Sequence, residues 1–169
     1  HPAPDHWRDG GGRGGTRGPG DLATREGRVT GNTYVWAEQV EALERLKHAI
    51  KIARRIPAPV EQAGALDFLS RELHELPAGM TTVVWHSVVW QYVDPQERLA
   101  VDALLHRRGQ AATEQSPLVR VSLEPERVGG GDFTFRVHLQ RWPTGERVHV
   151  ADALGHGPPV QWTGARLTT

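Results

Sequence analysis

The chain has 169 residues and no cysteine, and its 20 Lys plus Arg residues balance 20 Asp plus Glu residues, so the formal net charge is zero. This length is sufficient for one domain with a hydrophobic core. The charge balance argues against nucleic acid or an anionic membrane as a partner, because both attract proteins with a basic excess. The lack of cysteine excludes disulfides, thiolate zinc sites and cysteine nucleophiles.

The termini and the location of the protein follow from composition. No apolar run approaches the roughly 20 residues that a membrane-spanning helix needs, and the polar, glycine-rich start does not resemble a signal peptide, so we expect a cytoplasmic protein. The chain begins at His1 and not at Met, from which we expect a fragment. Residues 1–28 are rich in Gly, Pro and Arg and are predicted to be a disordered tail. The folded domain is predicted to span residues 29–169.

Two helices are predicted before the first long strand. Apolar residues recur at helical spacing between residues 33 and 56, and prolines 57 and 59 end that segment. A second helix is predicted over residues 61–76. The apolar stripes of the two helices are Trp36, Val40, Leu43, Leu46, Ile50 and Ala53, and Leu66, Leu69, Leu73 and Leu76.

The central prediction is a strand followed at once by a helix. Residues 81–93 are mainly β-branched and aromatic, which indicates a strand buried on both faces. Asp94 is then a helix N-cap, Pro95 occupies the first helical position, and Glu97 follows three residues after the cap. The helix is predicted over residues 95–108, with Gly109 just beyond its end. This is one βα unit of an α/β fold.

Three further strands complete the predicted sheet. Residues 118–123 are placed as the next parallel neighbour of the central strand. Residues 133–142 alternate apolar and polar side chains, as in a strand with one solvated face, and residues 147–154 return as its hairpin partner. We predict an α/β fold with a partial Rossmann-like, methyltransferase-type sheet, flanking helices and a C-terminal antiparallel β-hairpin. Residues 160–162 are predicted to be a short tail.

The candidate ligand site lies at the carboxyl end of the central strand, where open α/β sheets bind ligands. We predict that His86, Ser87, Gln91 and Tyr92 line a cofactor or substrate there. For His86, a buried histidine that bonds a backbone carbonyl is an equal alternative. A serine hydrolase is disfavoured because Ser87 lacks the flanking glycines of a nucleophile elbow. Catalytic residues are not identified.

Other polar and aromatic residues each have two interpretations. Trp85, Trp90 and Tyr92 either stack on a planar ligand or fill the core. Glu124 and Asp132 either serve as a general base or polar anchor near the same edge or are solvated.

The histidines predict no metal site. None of the nine histidines has another histidine at the close spacing of metal ligands in a His-x-x-x-His motif. His138 and His149 are expected to face each other across the hairpin.

Several motifs, in the same order, resemble domain-of-unknown-function family 2332, a bacterial family. The similarity covers roughly residues 21–169. It rests on Tyr34-Val35-Trp36-Ala37-Glu38-Gln39, Glu44-Arg45-Leu46, Val83-Val84-Trp85-His86-Ser87-Val88-Val89-Trp90-Gln91-Tyr92, Glu97-Arg98 and His156-Gly157-Pro158-Pro159-Val160-Gln161-Trp162.

The resemblance implies a methyltransferase-like fold and leaves the activity undefined. Members of the family are about twice this length, and their upstream half carries a Glu-x-Gly-x-x-x-Gly loop similar to an S-adenosylmethionine motif. The chain therefore resembles the C-terminal half, with S-adenosylmethionine as a cofactor of the full-length parent only. The only upstream glycine cluster, residues 10–15, follows no apolar strand. A non-catalytic α/β interaction module or an inert truncated product is the alternative, and an exposed apolar flank would favour self-association.

Overall fold

The structure is a computed structural model, and it describes residues 14–16, 40–55, 60–131, 133–155 and 157–167. The chain divides into two compact units, residues 1–64 and residues 65–169. In the described residues the second unit is a mixed α/β layer structure, and it contains every residue of the candidate site described below.

The first unit contains one helix and a two-stranded pairing. Helix α1 is Val40–Arg55, and strands β1 (Gly14–Thr16) and β2 (Val60–Gln62) pair in parallel. Along α1 the predicted apolar positions Leu43, Leu46, Ile50 and Ala53 are half-buried. Three residues of the segment predicted to be disordered therefore lie in a strand. The rest of that segment, and residues 33–39 of the predicted first helix, lie outside the described residues.

The second unit begins with a short helix, α2 (Ala65–Glu72). The predicted helix over residues 61–76 is too long, because residues 60–62 pair as β2 and the chain leaves the helix after Glu72. The predicted apolar stripe is confirmed. Leu73 is buried in the core, and Leu66, Leu69 and Leu76 pack against that core.

Helix α3 spans Pro95–Gly109, and its predicted start is confirmed because the Asp94 side chain accepts a hydrogen bond from the Gln96 amide at 2.8 Å. Glu97 has a role that the sequence did not indicate, since its carboxylate accepts from the Leu66 amide at 3.2 Å and links α3 to α2. Gly109 is the last residue of α3. A Cβ atom there would collide with the indole of Trp142, so glycine is required by close packing.

Five strands form one sheet in the order β3-β4-β5-β6-β7. Their bounds are β3 Thr82–Ser87, β4 Leu118–Arg127, β5 Phe133–Trp142, β6 Glu146–Leu154 and β7 Gly157–Trp162. The predicted parallel pairing of β3 with β4 and the antiparallel hairpin of β5 with β6 are confirmed. Strand β7, which pairs with β6, was predicted as a tail.

The prediction of a central strand buried on both faces is wrong. Strand β3 ends at Ser87, and Trp90–Tyr92 form a 3-10 turn. Strand β3 is an edge strand of this sheet, and its side chains alternate, with Val83 56% and Trp85 58% exposed. The sequence shows that many residues of this segment are apolar, but their exposure depends on which elements cover each face of the sheet.

The core lies between one face of the sheet and the two helices α2 and α3. Its most deeply buried side chains are Val101 and Leu105 of α3 and Leu118 of β4, and Trp142 completes the cluster. The register places Leu118 opposite Trp142. The predicted single solvated face of β5 is also wrong, since residues 134–141 are half-buried on both faces.

Candidate functional site: a polar cleft beside helix α3

A cleft of about 440 Å³ lies on the face of the sheet that also carries the core. Its lining includes residues near the carboxyl ends of the parallel strands β3 and β4, the position at which open α/β sheets bind ligands. Its lining consists of His86, Trp90, Asp102, Leu105, His106, Arg120, Ser122, Glu124, Pro125, Glu126, Gln140, Trp142 and Arg147.

Strand register explains why this face is polar. Successive residues of a strand point to opposite faces, so every second residue of β4 from Arg120 to Glu126 lies on the cleft side. The neighbouring strands continue these rows. One row runs across the sheet as His86, Ser122, His138 and His149, and the next as Arg120, Gln140 and Arg147.

A chain of hydrogen bonds connects four cleft residues. Glu124 Oε1 lies 2.7 Å from His86 Nδ1, and Arg120 Nε lies 3.0 Å from His86 Nε2. Arg120 Nη1 then donates to Asp102 Oδ1 of helix α3 at 2.6 Å. The side chains of His86 and Glu124 are only 10% and 14% exposed, so water competes little for these bonds.

The partners of His86 determine its tautomer. A guanidinium nitrogen can only donate a hydrogen bond, so His86 Nε2 accepts from Arg120. An ionised carboxylate can only accept, so Nδ1 carries the proton and donates to Glu124. The arrangement therefore selects a neutral imidazole whose Nε2 is the basic nitrogen.

Glu124 also holds the turn after β3. Its carboxylate accepts from the backbone amides of Val89 and Trp90 at 3.3 Å. The turn begins at Val88, which has a φ of 50° although it is β-branched, and its amide donates to the Leu123 carbonyl at 2.8 Å. Such a conformation is costly and persists where surrounding bonds enforce it, a situation that is frequent at functional sites.

The ring of Trp90 packs against two residues of this hydrogen-bonded chain, His86 and Arg120. The imidazole of His86 stacks on its ring with 4.6 Å between centroids, and the guanidinium carbon of Arg120 lies 4.7 Å from the ring centroid. Cation–π contact and stacking both orient the two polar side chains. Ligand stacking and core packing were the two interpretations of Trp90, and its ring packs against His86 and Arg120 of the site itself.

A second group of charges lies further along the same face. Glu126 contacts Arg136 and Arg147 at 3.4 Å and His138 at 3.3 Å. As expected, His138 and His149 face each other, with 5.4 Å between ring centroids. Burial lowers the pKa of His138, and the positive charge of Arg147 lowers the pKa further, while Glu126 opposes both effects.

Of the four predicted ligand-lining residues, the structure brings only His86 into the cleft. Ser87 is exposed and, as the next residue in β3, lies on the opposite face of the sheet. Gln91 and Tyr92 are exposed in the 3-10 turn, and Tyr92 is 71% exposed. Their predicted contact with a ligand stays a prediction.

The earlier alternatives for the acids are partly resolved. Glu124 is bonded to His86 and is largely buried, so it is not solvated, and its contact with a ligand stays a prediction. Asp132 lies outside the described residues. Asp102 and Arg120 were not recognised from the sequence. The available signal was the alternation of polar residues 120, 122, 124 and 126, which the predicted strand cut short at residue 123.

Neither a metal site nor a membrane span is found in the described part of the chain. There, no group of three or more His, Asp or Glu side chains has an arrangement that could hold a metal ion. Among the same residues, no helix is long and apolar enough to cross a bilayer.

The sequence was compared with known families, curated proteins and solved structures. No curated protein and no solved structure matches the chain significantly. Residues 12–162 match the profile of a family described as uncharacterized protein conserved in bacteria (DUF2332). Because the match covers most of the chain, the protein belongs to this bacterial family of uncharacterized proteins, DUF2332.

Proposed function

We propose that residues 65–169 form the substrate-binding part of a methyltransferase-like α/β domain, and that the cleft beside α3 holds a small, protic substrate. The proposal rests on the hydrogen bonding of His86, a residue that lines the cleft. Its Nδ1–H donates to Glu124 at 2.7 Å, which leaves Nε2 as the basic nitrogen of the ring. A nitrogen of this kind accepts a proton from an O–H or N–H group within hydrogen-bond reach.

The charges of the cleft favour a neutral substrate. Each acid that lines it has a partner: Asp102 contacts Arg120 at 2.6 Å, Glu126 contacts Arg147 at 3.4 Å, and Glu124 contacts His86. Because the guanidinium groups already face carboxylates, a polyanion such as a nucleotide would have to displace an ion pair. A neutral hydroxyl or amide compound avoids that cost.

S-adenosylmethionine does not fit the described residues. A Rossmann-type donor site needs a glycine-rich loop after a parallel strand, through which the backbone approaches the ligand. The turn after β3 is Val88-Val89-Trp90-Gln91-Tyr92-Val93 and contains no glycine. The triple glycine at Gly129–Gly131 joins β4 to β5, which are antiparallel.

The test is ligand titration followed by the indole N–H signals of ¹⁵N-labelled protein. The probes are a panel of neutral phenols, alcohols and primary amides, with a matching panel of organic phosphates. Trp90 and Trp142 line the cleft, while Trp85 and Trp162 lie on the opposite face as internal controls. We expect saturable shifts of the Trp90 and Trp142 signals with neutral probes. Shifts confined to Trp85 and Trp162, or none from the neutral panel, would contradict the proposal.

A second candidate function, a non-catalytic interaction module, is favoured by the opposite face of the sheet. The register places Trp85, Val121 and Leu139 in one row of that face. At its two edges, Trp85 is 58% and Trp162 is 75% exposed. Exposed apolar surface of this kind is typical of interaction sites.

We propose a second copy of the chain as the occupant of this apolar face. Two sheets of the same shape pack face to face when both faces are apolar. Five strands about 4.8 Å apart and about 20 Å long offer at most roughly 480 Å² in projection, less than the roughly 800 Å² per partner of a stable interface. Leu123 and Ala151 on this face are already buried, so a partner would contact mainly the exposed edges. The association is therefore weak and dependent on concentration.

Sedimentation velocity over a range of concentrations tests this candidate. We expect the weight-average sedimentation coefficient to rise with concentration for the natural sequence and to stay constant for Trp85→Ser. The matched control is Tyr92→Ser, which removes an aromatic side chain that is 71% exposed in the turn and not on the sheet face. A monomer at all concentrations, or an equal loss of association in both variants, would contradict a dimer through this face.

A further inference from the structure

We propose that Arg120 is a removable cap on His86, so that the basic nitrogen of the site is covered at rest and uncovered when substrate binds. This inference rests on the proposed role of the cleft and adds a positioning residue to it. The cap is visible as the hydrogen bond from Arg120 Nε to His86 Nε2, at 3.0 Å.

With this bond in place, His86 cannot act as a base. Nε2 has a single lone pair, and the Arg120 N–H occupies it. A substrate O–H or N–H group can therefore reach Nε2 only if the guanidinium moves aside.

Arg120 has a second anchor that allows such a movement. Its Nη1 donates to Asp102 at 2.6 Å, and the side chain of Asp102 is 45% exposed, against 15% for Arg120. The guanidinium can therefore swing toward the more exposed Asp102 and keep its ion pair, while it gives up its contact with the Trp90 ring. His86 stays in place meanwhile, because Glu124 and the ring of Trp90 hold it.

The protic class of the substrate follows from this exchange. The group that replaces Arg120 must donate a hydrogen bond to Nε2, as the guanidinium did, or the nitrogen is left without a partner in a site that is largely shielded from water. The proton then moves from that donor to Nε2, and Nδ1–H continues to donate to Glu124. The positive charge that forms on the imidazole is stabilised by the Glu124 carboxylate.

The experiment measures how fast diethyl pyrocarbonate acylates each histidine of the whole chain, by mass spectrometry of its peptides. This reagent attacks an unprotonated, uncapped imidazole nitrogen, so no substrate has to be known. In the natural sequence we expect His86 to react more slowly than His74 and His106, which are both exposed. In Arg120→Met, whose terminal methyl carbon takes the position of Nε and cannot donate, we expect the His86 rate to rise about tenfold, which corresponds to roughly 1.4 kcal/mol.

Two further variants separate the cap from a general loosening of the fold. Arg120→Gln places an amide N–H where Nε was, so it should keep His86 slow. Arg141→Met removes an arginine whose guanidinium contacts Glu114 at 2.8 Å, away from His86, and should leave the His86 rate unchanged. An equal His86 rate in the natural sequence and Arg120→Met, or equal acceleration in Arg120→Met and Arg141→Met, would overturn the proposal.

A second measurement remains decisive if Arg120→Met does not fold. Long-range ¹H–¹⁵N correlation spectra of the natural protein report which imidazole nitrogen carries the proton. We expect His86 to be neutral with the proton on Nδ1, and a proton on Nε2 would overturn the cap. Because both measurements are made without substrate, the cap can fail while the probe panel still binds in the cleft, and the reverse outcome is equally distinguishable.

Discussion

The two faces of the five-stranded sheet differ in how their side chains find partners. On the face toward α3, the charged side chains of β4 to β6 are paired, as in the chain from Glu124 to Asp102. On the opposite face, apolar side chains at both edges stay exposed, including Trp85 and Trp162.

The difference shows that the polarity of the side chains on a sheet face does not determine whether helices cover that face. Helices α2 and α3 cover only part of the first face, around Leu118 and Trp142. The rest of that face is polar and bounds the cleft, whose charges are tolerated because they are partnered. On the opposite face Leu123 and Ala151 are buried, whereas Trp85 and Trp162 at its two edges are exposed. We therefore assign chemistry to the first face and association to the second.

The comparison predicts its largest effect in the core. Leu105→Ala removes a side chain that is 1% exposed, and we expect the free energy of unfolding to fall by about 2–5 kcal/mol. Val83→Ala, on the opposite face and 56% exposed, should cost less than about 1 kcal/mol. Urea unfolding of both variants checks this, and equal losses would mean that the two faces are buried alike.

The next effect concerns the carboxylate that holds the turn. Glu124→Ala leaves His86 Nδ1–H and the amides of Val89 and Trp90 without their acceptor, so we expect a loss of about 1–3 kcal/mol. Glu114→Ala removes an exposed partner of Arg141 and should cost less than about 1 kcal/mol. If urea melts show the same loss for both, Glu124 is an ordinary surface acid.

A smaller effect is expected from pH, through His138 on the polar face. Burial and the nearby Arg147 lower its pKa below the ordinary value of 6.5, and Arg136 and His149 act in the same direction against Glu126. The unfolded chain therefore binds a proton more readily than the folded one. Stability contributed by the neutral ring is complete above about pH 6.5 and is lost as the pH falls through the lowered pKa.

The measurement is the free energy of unfolding of the natural sequence and of His138→Gln between pH 8 and pH 5. The natural protein should lose more stability on acidification than the variant, because only the natural chain carries this titrating ring. Parallel pH curves for the two proteins would show that His138 does not contribute.

The last prediction is that this chain does not bind S-adenosylmethionine. The described residues offer no glycine loop for S-adenosylmethionine, and loss of even three hydrogen bonds at about 1 kcal/mol each weakens binding by a hundredfold or more. Isothermal titration of this chain with the cofactor should therefore show no saturable heat. A one-site isotherm in the micromolar range would contradict this and would point to a donor site elsewhere in the chain.

Local patterns predicted most elements of the second unit. Asp94 and Pro95 located the start of α3, since capping depends on adjacent residues only. Alternation located β5 and β6, and the turn between them indicated their pairing. Strand β7 was missed because its prolines and glycine weaken the strand signal, and its pairing with β6 is a tertiary contact.

The candidate site was predicted only in part. His86 was identified because it lies near the carboxyl end of a recognisable strand, and Glu124 because it follows the next one. Ser87 was placed beside His86 although the alternation of a strand puts consecutive residues on opposite faces. Arg120 lies in the middle of β4 and Asp102 on a helix, and nothing in their local sequence indicates that they meet.

By itself, the sequence determined the type and order of most elements, the helix start at Asp94 and the polar alternation along β4, because these depend on residues that are close along the chain. The tertiary structure decided which face of each strand is covered, that β3 is an edge strand and that His86 bonds both Glu124 and Arg120. Glu124 and Arg120 lie 38 and 34 residues from His86 along the chain. Contacts across such separations depend on strand register and helix packing, which a single sequence does not specify.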